Sequence, residues 1–363
     1  MARRESTASL PESFRGSVLS DPYDGLIGHG RVVELLRREA ATPGQAYLFT
    51  GAESVGKATI ATRFAMALLC PENGLHEEDC RSCRLFDSGN HPDLNIVEPE
   101  GATSLGVDQA RAVVTRAAMR PVESSRSVFV FPEAGSMTEQ AANSLLKTLE
   151  EPTASVTFLL AAESEDDFPA TVASRCRTIH LGRVPQEELV AGLQARGLTA
   201  EEAVGVSVVA GGRPGLALAL MDRPEVADFR ELWLSIPGQV TPHPGDGQRL
   251  ATVVLEKMSP LVEDAVDDDL PKEKQQRARR RVEQSLLVNG LEILASWYAD
   301  SASLQMGGPV RNSDVSLGAF TDVRPTKAVA SAETVLDAVV DIQGNLRREL
   351  VLANLFAGLG SED

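Results

Sequence analysis

A loop bounded by two glycines and followed by a lysine is the first stretch of this sequence to which chemistry can be assigned. Gly51, Gly56 and Lys57 fit the phosphate-binding pattern G-x-x-x-x-G-K-[ST]. In that pattern backbone N–H groups and a helix N-terminus surround phosphate oxygens, and the lysine reaches the terminal phosphates. The pattern then requires a hydroxyl that holds Mg²⁺, but the residue here is Ala58. Thr59 comes one place later, a rotation of about 100° on a helix, so it does not take over this role.

A second ligand for Mg²⁺ is also missing. In P-loop enzymes a buried strand ends in an acidic residue that positions the metal, and the next acidic residue polarises water. Here the apolar run 127–131 is followed by Pro132 and Glu133, so a proline replaces the metal-side carboxylate while Glu133 remains. We therefore expect ATP or ADP to bind weakly or not at all, and we expect no Mg²⁺.

Three of the four cysteines lie close together and have the spacing of metal ligands. Cys80 and Cys83 form a C-x₂-C pair, and Cys70 stands at the end of the helix predicted after the P-loop. In a cytosolic chain this grouping favours a metal over a disulfide, and a structural zinc site needs a fourth ligand, for which His76 is the first candidate. The next candidates are the acidic residues of the same loop, Glu77 and Asp79. The alternative is three cysteines that are packed or free, without a metal. A zinc enzyme is disfavoured, because a closed site leaves no position for substrate.

Two arginines are candidates for phosphate contacts. Arg175, in Ser-Arg-Cys between two predicted strands, could reach a phosphate in its own site or, in trans, in a neighbour's site; the alternative is a surface arginine. Arg213 follows two glycines at the start of a later helix and could face a nucleotide. Four arginines further on are interpreted as a solvated helix face, with DNA contact as a minor alternative: Arg277, Arg279, Arg280 and Arg281.

Length and charge bound the remaining possibilities. A chain of 363 residues predicts two or three domains. The formal charge of −17 argues against a surface that binds nucleic acid everywhere, since phosphate would be repelled. Neither a run of apolar residues long enough to span a membrane nor a secretory signal is present, so we expect a cytoplasmic protein without membrane contact.

Predicted strands and helices alternate up to residue 183, which indicates a parallel sheet between helical layers. The predicted organisation is a disordered tail over residues 1–22, an α/β domain over 23–183 with a cysteine-rich insert at 70–83, three short helices over 184–224, and an all-helical region over 225–363. Two long helices are predicted in the last region, at 275–298 and 331–359, with exposed loops at 264–269 and 306–322.

These motifs together resemble the clamp-loader branch of the AAA+ family. The resemblance is carried, in this order along the chain, by the degenerate P-loop, the C-x₉-C-x₂-C insert, Gly89-Asn-His-Pro-Asp93, the helix that ends in Leu149-Glu-Glu-Pro152, and Ser174-Arg-Cys176. It covers residues 23–220 firmly and the C-terminal helices weakly. It implies a RecA-like domain, a small helical lid and an all-α collar.

The resemblance also implies partners and a role. Clamp-loader subunits, among them gamma or tau and delta, form a five-subunit ring in the DNA polymerase III holoenzyme, which opens the sliding clamp and places it on primer-template DNA. The departures at Ala58 and Pro132 indicate a member that does not hydrolyse ATP, and Arg175 matches the arginine that such a member inserts into a neighbouring ATP site. The alternative is an active ATPase of the gamma or tau type, which Lys57 supports. Glu77 stands where the family usually has a fourth cysteine.

Overall fold

The computed structural model describes residues 21–76, 80–99, 104–150, 155–221, 223, 225–243, 245–264, 266, 271–312, 315–344 and 346–361. The chain divides into two compact units, Met1–Glu188 and Leu189–Asp363. Most of the predicted tail, residues 1–20, lies outside the described residues. The predicted boundary between lid and collar, at residue 224, stays a prediction.

The first unit is built on a parallel five-stranded sheet, which confirms the predicted α/β fold. Its strand order is β2-β3-β4-β1-β5. The strands are β1 (Ala46–Thr50), β2 (Leu94–Ile96), β3 (Ser127–Phe131), β4 (Val156–Ala161) and β5 (Arg177–His180). Every residue of β1, β3 and β4 is buried. Strands covered on both faces need continuous apolar runs, which is why these three were recognisable in the sequence.

Helices cover both faces of this sheet. They are α1 (Gly30–Ala41), α2 (Lys57–Leu69), α3 (Arg81–Asp87), α4 (Val107–Ala117), α5 (Glu139–Glu150) and α6 (Ala170–Ala173). Because side chains alternate along a strand, Tyr47 and Phe49 join the core made with α1, α2 and α3, while Ala46 and Leu48 join the core made with α4 and α5. The result is the predicted three-layer arrangement, with the P-loop at the C-terminal end of β1.

The described part of the chain after residue 185 contains helices and no strand. They are α7 (Gln186–Gln194), α8 (Ala200–Ala210), α9 (Pro214–Leu220), α10 (Val226–Ser235), α11 (Asp246–Asp264), α12 (Lys272–Gln305), α13 (Pro325–Gln343) and α14 (Arg348–Leu359). The three short helices predicted over 184–224 are therefore present as α7, α8 and α9. No described helix is both long enough and apolar enough to cross a membrane.

Two predictions for the C-terminal region were wrong. The single helix predicted over 331–359 is two helices, because α13 ends at Gln343 and the next residue, Gly344, lowers helix propensity. The N–H of Gly344 donates to the carbonyl oxygen of Val340. The segment 306–322 is not wholly an exposed loop. It contains the buried residues Asn312 and Phe320, and the Asp300 carboxylate accepts hydrogen bonds from the backbone N–H of Asn312 at 2.8 Å. The other predicted loop, 264–269, lies largely outside the described residues.

Candidate functional site

The P-loop lies between β1 and α2, and its first glycine is required by a close backbone approach. Gly51 has φ 142°, and its N–H donates to the carbonyl oxygen of Glu163 at 3.1 Å. A Cβ at this position would lie 2.2 Å from the carbonyl oxygen of Leu181. Both neighbours follow strands that flank β1, so the sheet itself holds the start of the loop in place.

The second glycine opens the helix that follows the loop. Gly56 is the N-cap of α2 with φ 107°, a conformation that glycine adopts at little cost. A Cβ there would meet no atom of the described chain within 4 Å, apart from its own sequence neighbours. The helix N-terminus is therefore open on this side, and the partial positive charge of the helix dipole suits an anion.

Lys57 bends back onto its own loop. Its ammonium group donates to the carbonyl oxygens of Gly51 at 2.8 Å and Ala52 at 2.7 Å, and the residue is only 8% exposed. The lysine that the sequence assigns to the terminal phosphates thus stabilises the shape of the loop. A bound phosphate would compete with these carbonyl groups for the ammonium.

His29 also holds the P-loop, and sequence analysis missed it. Its Nε2 lies 2.9 Å from the carbonyl oxygen of Val55, to which it donates, and burial lowers the pKa of its imidazole below the usual value. His29 has φ 60° at the N-cap of α1, next to Gly28 and Gly30. The only signal in the sequence was a histidine between two glycines, a pattern too common to indicate a contact with a loop 26 residues away.

The two positions at which P-loop enzymes carry Mg²⁺ ligands, Ala58 and Pro132, lie at the start of α2 and at the end of β3, as the sequence predicts. Ala58 is the second residue of α2, and its carbonyl oxygen accepts a hydrogen bond from the hydroxyl of Thr62. Pro132 and Glu133 directly follow β3, and the carbonyl oxygen of Glu133 accepts hydrogen bonds from the backbone N–H and hydroxyl of Ser136. The backbone is that of a P-loop protein, while neither position carries a side chain that holds Mg²⁺.

Arg175 lies on the connection between α6 and β5. Its Nη2 forms an ion pair with Oε1 of Glu150 at 2.5 Å, and its Nη1 donates to the carbonyl oxygen of Thr171 at 2.5 Å. The side chain is 34% exposed. The guanidinium group is therefore at the surface of the first unit, but it is held by its own chain.

Arg213 is buried in the second unit. It is 2% exposed, its Nη1 lies 3.4 Å from Oδ1 of Asn289, and its Nη2 lies 3.5 Å from Oε1 of Glu292. Both partners are on α12, so the guanidinium group joins the start of α9 to the longest helix. The nucleotide contact predicted for Arg213 stays a prediction.

Four possible metal ligands converge beside α2 and α3. Cys70 caps the C-terminus of α2, Cys80 caps the N-terminus of α3, Cys83 lies in the first turn of α3, and His76 lies in the loop between the helices. Their ligand atoms all lie within 4.8 Å of one another. The structure thus brings together all four residues that the sequence proposed. The alternative ligands Glu77 and Asp79 lie outside the described residues.

These four groups, three sulfur atoms and an imidazole nitrogen within 4.8 Å of one another, could hold a metal ion. Two sulfur atoms bound at about 2.3 Å to one zinc ion lie about 3.8 Å apart at the tetrahedral angle. The sulfur atoms of Cys70 and Cys80 are 3.8 Å apart, and Nε2 of His76 lies 3.1 Å from the sulfur of Cys83. The hydrogen bond between Cys70 and Cys83 lowers the pKa of Cys70 and raises the pKa of Cys83, so the first proton of this pair leaves from Cys70. Three thiolates and an imidazole would form a closed, structural site.

A buried histidine ties α3 to the end of α2. The hydroxyl groups of Ser82 and Ser124 both donate to the carbonyl oxygen of Leu69, at 2.8 and 2.6 Å. Nε2 of His91 lies 2.9 Å from the first hydroxyl and 3.3 Å from the second, and its Nδ1 accepts from the backbone N–H of Asp93. Since a backbone N–H can only donate, Nδ1 carries no proton and Nε2 is the donor. Burial lowers the pKa of His91, which keeps the ring neutral.

Asp93 holds the segment 122–124, which precedes β3, next to His91 and α3. Its carboxylate accepts hydrogen bonds from the backbone N–H groups of Val122 at 2.7 Å, Glu123 at 2.8 Å and Ser124 at 2.7 Å. The residue is 2% exposed. The motif from Gly89 to Asp93 therefore has a structural role, since it fixes α3 and the loop before β3 next to the cysteine cluster.

Comparison with known proteins finds relatives of the first half of the chain. A family model described as "DNA polymerase III, delta subunit" matches residues 28–185. The DNA polymerase III subunit delta' of Bacillus subtilis is 38% identical over 152 residues, which are 41% of this chain and 46% of that protein. The subunit delta' of Escherichia coli is 33% identical over 186 residues, which are 50% of this chain and 56% of that protein.

A tau/gamma subunit is similar over a smaller share of its length. The DNA polymerase III subunit tau/gamma of Haemophilus influenzae is 34% identical over 146 residues, which are 40% of this chain and 21% of that protein. This chain spans about half the length of the two delta' subunits. The matched residues 28–185 include the P-loop, the cysteine cluster and Arg175. The chain is therefore similar, over part of its length, to subunits of DNA polymerase III.

Proposed function

We propose that this chain works as a delta'-type subunit of a bacterial DNA polymerase III clamp loader and does not itself hydrolyse ATP. In this role it helps to place the sliding clamp on primed DNA during replication in the cytoplasm. The observation that carries the proposal is that Ala58 and Pro132 occupy the two positions from which P-loop enzymes ligate Mg²⁺, and neither side chain can bind a metal. The match of residues 28–185 to the family model and the similarity to two delta' subunits support the same role.

The missing cation accounts for the absence of hydrolysis. Mg²⁺ bridges the phosphates and offsets the charge that develops on them, which is worth several kcal/mol in the transition state. Losing such a term slows turnover by on the order of a thousandfold. Nucleotide binding without the metal still has the open N-terminus of α2 and Lys57 to support it, so weak binding of ADP, independent of Mg²⁺, is part of the proposal.

Arg175 gives this subunit its part in the reaction. Its position at the surface of the first unit suits an arginine that enters the ATP site of an adjacent gamma or tau subunit, where it stabilises charge on the transferred phosphoryl group. The further partners are delta, the sliding clamp and, through the complex, primer-template DNA. In the five-subunit ring, residues 184–224 would form the lid and residues 225–363 the collar through which subunits assemble. The cysteine cluster would hold one structural zinc ion.

The second candidate is an active ATPase of the gamma or tau type. It is favoured by Lys57 and by the similarity to a tau/gamma subunit. It requires another side chain, such as Glu133, to compensate for the two lost ligands.

Steady-state ATP hydrolysis by the isolated chain and by the reconstituted complex separates the two candidates. The isolated chain should show no turnover above background, while the complex with Arg175→Ala should hydrolyse ATP more slowly than wild type, by on the order of a thousandfold at the site that Arg175 enters. Arg38→Ala is the control, because Arg38 is also a surface arginine in an ion pair and has no assigned role. Turnover by the isolated chain at the rate of an active clamp loader would favour the second candidate. An unchanged rate of ATP hydrolysis by the complex with Arg175→Ala would contradict the role assigned to this arginine.

A further inference from the structure

Arg175 has an anionic partner within its own subunit. Glu150 is the last residue of α5, and Arg175 follows α6, yet Oε1 of Glu150 lies 2.5 Å from Nη2 of Arg175. The other terminal nitrogen of the same guanidinium group donates to the carbonyl oxygen of Thr171. Both ends of the guanidinium fork are thereby engaged inside the first unit.

This arrangement opposes the contact that Arg175 would make with a neighbouring phosphate. A carboxylate next to the guanidinium group cancels much of its charge as seen from outside the subunit, and it repels an approaching phosphate directly. The two side chains are 34% and 45% exposed, so solvent weakens the ion pair and it can break at small cost. A phosphate offers the same guanidinium group a charge-assisted, bidentate contact, which is stronger than an exposed pair with one carboxylate.

We propose that Glu150 is a positioning residue for Arg175, and that it keeps the arginine retracted and neutralised until ATP occupies the neighbouring site. Arg175 then exchanges Glu150 for the phosphates. This inference rests on the proposed function, because it assumes that Arg175 acts on a neighbour. It adds a residue whose removal should speed the reaction of the complex, whereas a purely structural ion pair would slow it or leave it unchanged.

The test uses the reconstituted complex with variants of this chain and measures kcat and KM for ATP. Glu150→Gln keeps the shape of the side chain and removes its charge, so kcat/KM should rise about threefold, the size expected when an exposed ion pair no longer competes. Glu150→Asp keeps the charge and should stay nearer to wild type than Glu150→Gln. Glu139→Gln, at the first turn of the same helix, is the matched control and should have no effect. Circular dichroism of each isolated variant checks that it is folded.

The double variant Glu150→Gln/Arg175→Ala decides whether the effect passes through the arginine. Its kcat/KM should equal that of Arg175→Ala alone, because without the guanidinium group the charge at position 150 no longer affects the reaction. The inference is overturned, with the proposed function intact, if Arg175→Ala lowers the rate but Glu150→Gln does not raise it, or if Glu150→Gln acts equally without the arginine. If Arg175→Ala itself has no effect, the proposed role of the arginine fails first and the inference fails with it.

Discussion

Gly51 and Leu181 approach each other so closely that a Cβ on the glycine would lie 2.2 Å from the carbonyl oxygen of Leu181. The oxygen cannot move away easily, because Leu181 is tied to the sheet by its N–H, which donates to the carbonyl oxygen of Thr50 at 2.8 Å. Gly51→Ala should therefore lower the free energy of unfolding by about 3 kcal/mol, from the clash and from backbone strain together. Chemical denaturation of the isolated chain measures this change.

Gly56→Ala is the matched control for this prediction. Gly56 also has positive φ, but a Cβ there would meet open space in the described structure, so only backbone strain remains and the loss should be about 1 kcal/mol. Equal losses for the two variants would contradict the assignment of the larger effect to the contact with Leu181.

One zinc ion per chain is the expected metal content of the purified protein. Cys80→Ser and His76→Ala should each leave well under half of the zinc bound, since each removes one of four ligands from a tetrahedral site. Cys176→Ser should keep the full content, because Cys176 is not part of the cluster. Inductively coupled plasma mass spectrometry after gel filtration gives the ratio. Wild-type protein that is fully folded and free of zinc would contradict the proposed metal centre.

Acid should destabilise the first unit through His91. Burial lowers the pKa of His91 below the value of 6.5 for a free histidine, so the unfolded chain binds the proton more readily than the folded chain. The stabilisation is therefore complete above pH 6.5 and is lost as the pH falls through the folded pKa. His91→Asn keeps an acceptor for the N–H of Asp93 without a titrating ring, and the drop in stability between pH 7.5 and pH 5 should become smaller.

Urea denaturation at several pH values, for wild type and variant, checks this prediction. Both proteins carry the same cysteines and His76, so the difference between them isolates His91. His29 shifts in the same direction, so part of the acid sensitivity should remain in His91→Asn. His243→Asn is the control at an exposed histidine and should behave as wild type. Identical pH profiles for wild type and His91→Asn would refute the role of the buried ring.

Restoring one hydroxyl should restore part of the Mg²⁺ dependence of nucleotide binding. Wild type should bind ADP with an affinity that changes less than about twofold between Mg²⁺ and EDTA, while Ala58→Ser should bind at least about threefold more tightly with Mg²⁺. Thr59→Ala is the control, because a hydroxyl one place later on α2 does not reach the metal position. Isothermal titration calorimetry gives both affinities. No heat with ADP under any condition would mean that the loop does not bind nucleotide.

Local patterns account for what the sequence could predict. The buried strands β1 and β3 are continuous apolar runs, and the four metal ligands lie within 14 residues, so neighbours in sequence indicated neighbours in space. Helices α3 and α6 have 7 and 4 residues, too few to show a helical period. The contacts of His29 with Val55 and of Arg175 with Glu150 span 26 and 25 residues. Such pairs depend on how the sheet orders its connections, which no short pattern contains.

Helix α2 has the phosphate loop at one end and Cys70 at the other. Its 13 residues form a stiff rod about 20 Å long. The C-terminus of α2 is held to α3, because the hydroxyl of Ser82 donates to the carbonyl oxygen of Leu69 and the sulfur of Cys70 lies 3.8 Å from that of Cys80. The P-loop joins the other end of α2 at Gly56, so a shift of the loop along this helix would also displace Cys70. The position of the P-loop therefore depends on contacts at the opposite end of α2, about 20 Å away. A loop held in this way keeps its form whether or not a phosphate is bound, which suits the proposed role of a subunit that does not hydrolyse ATP.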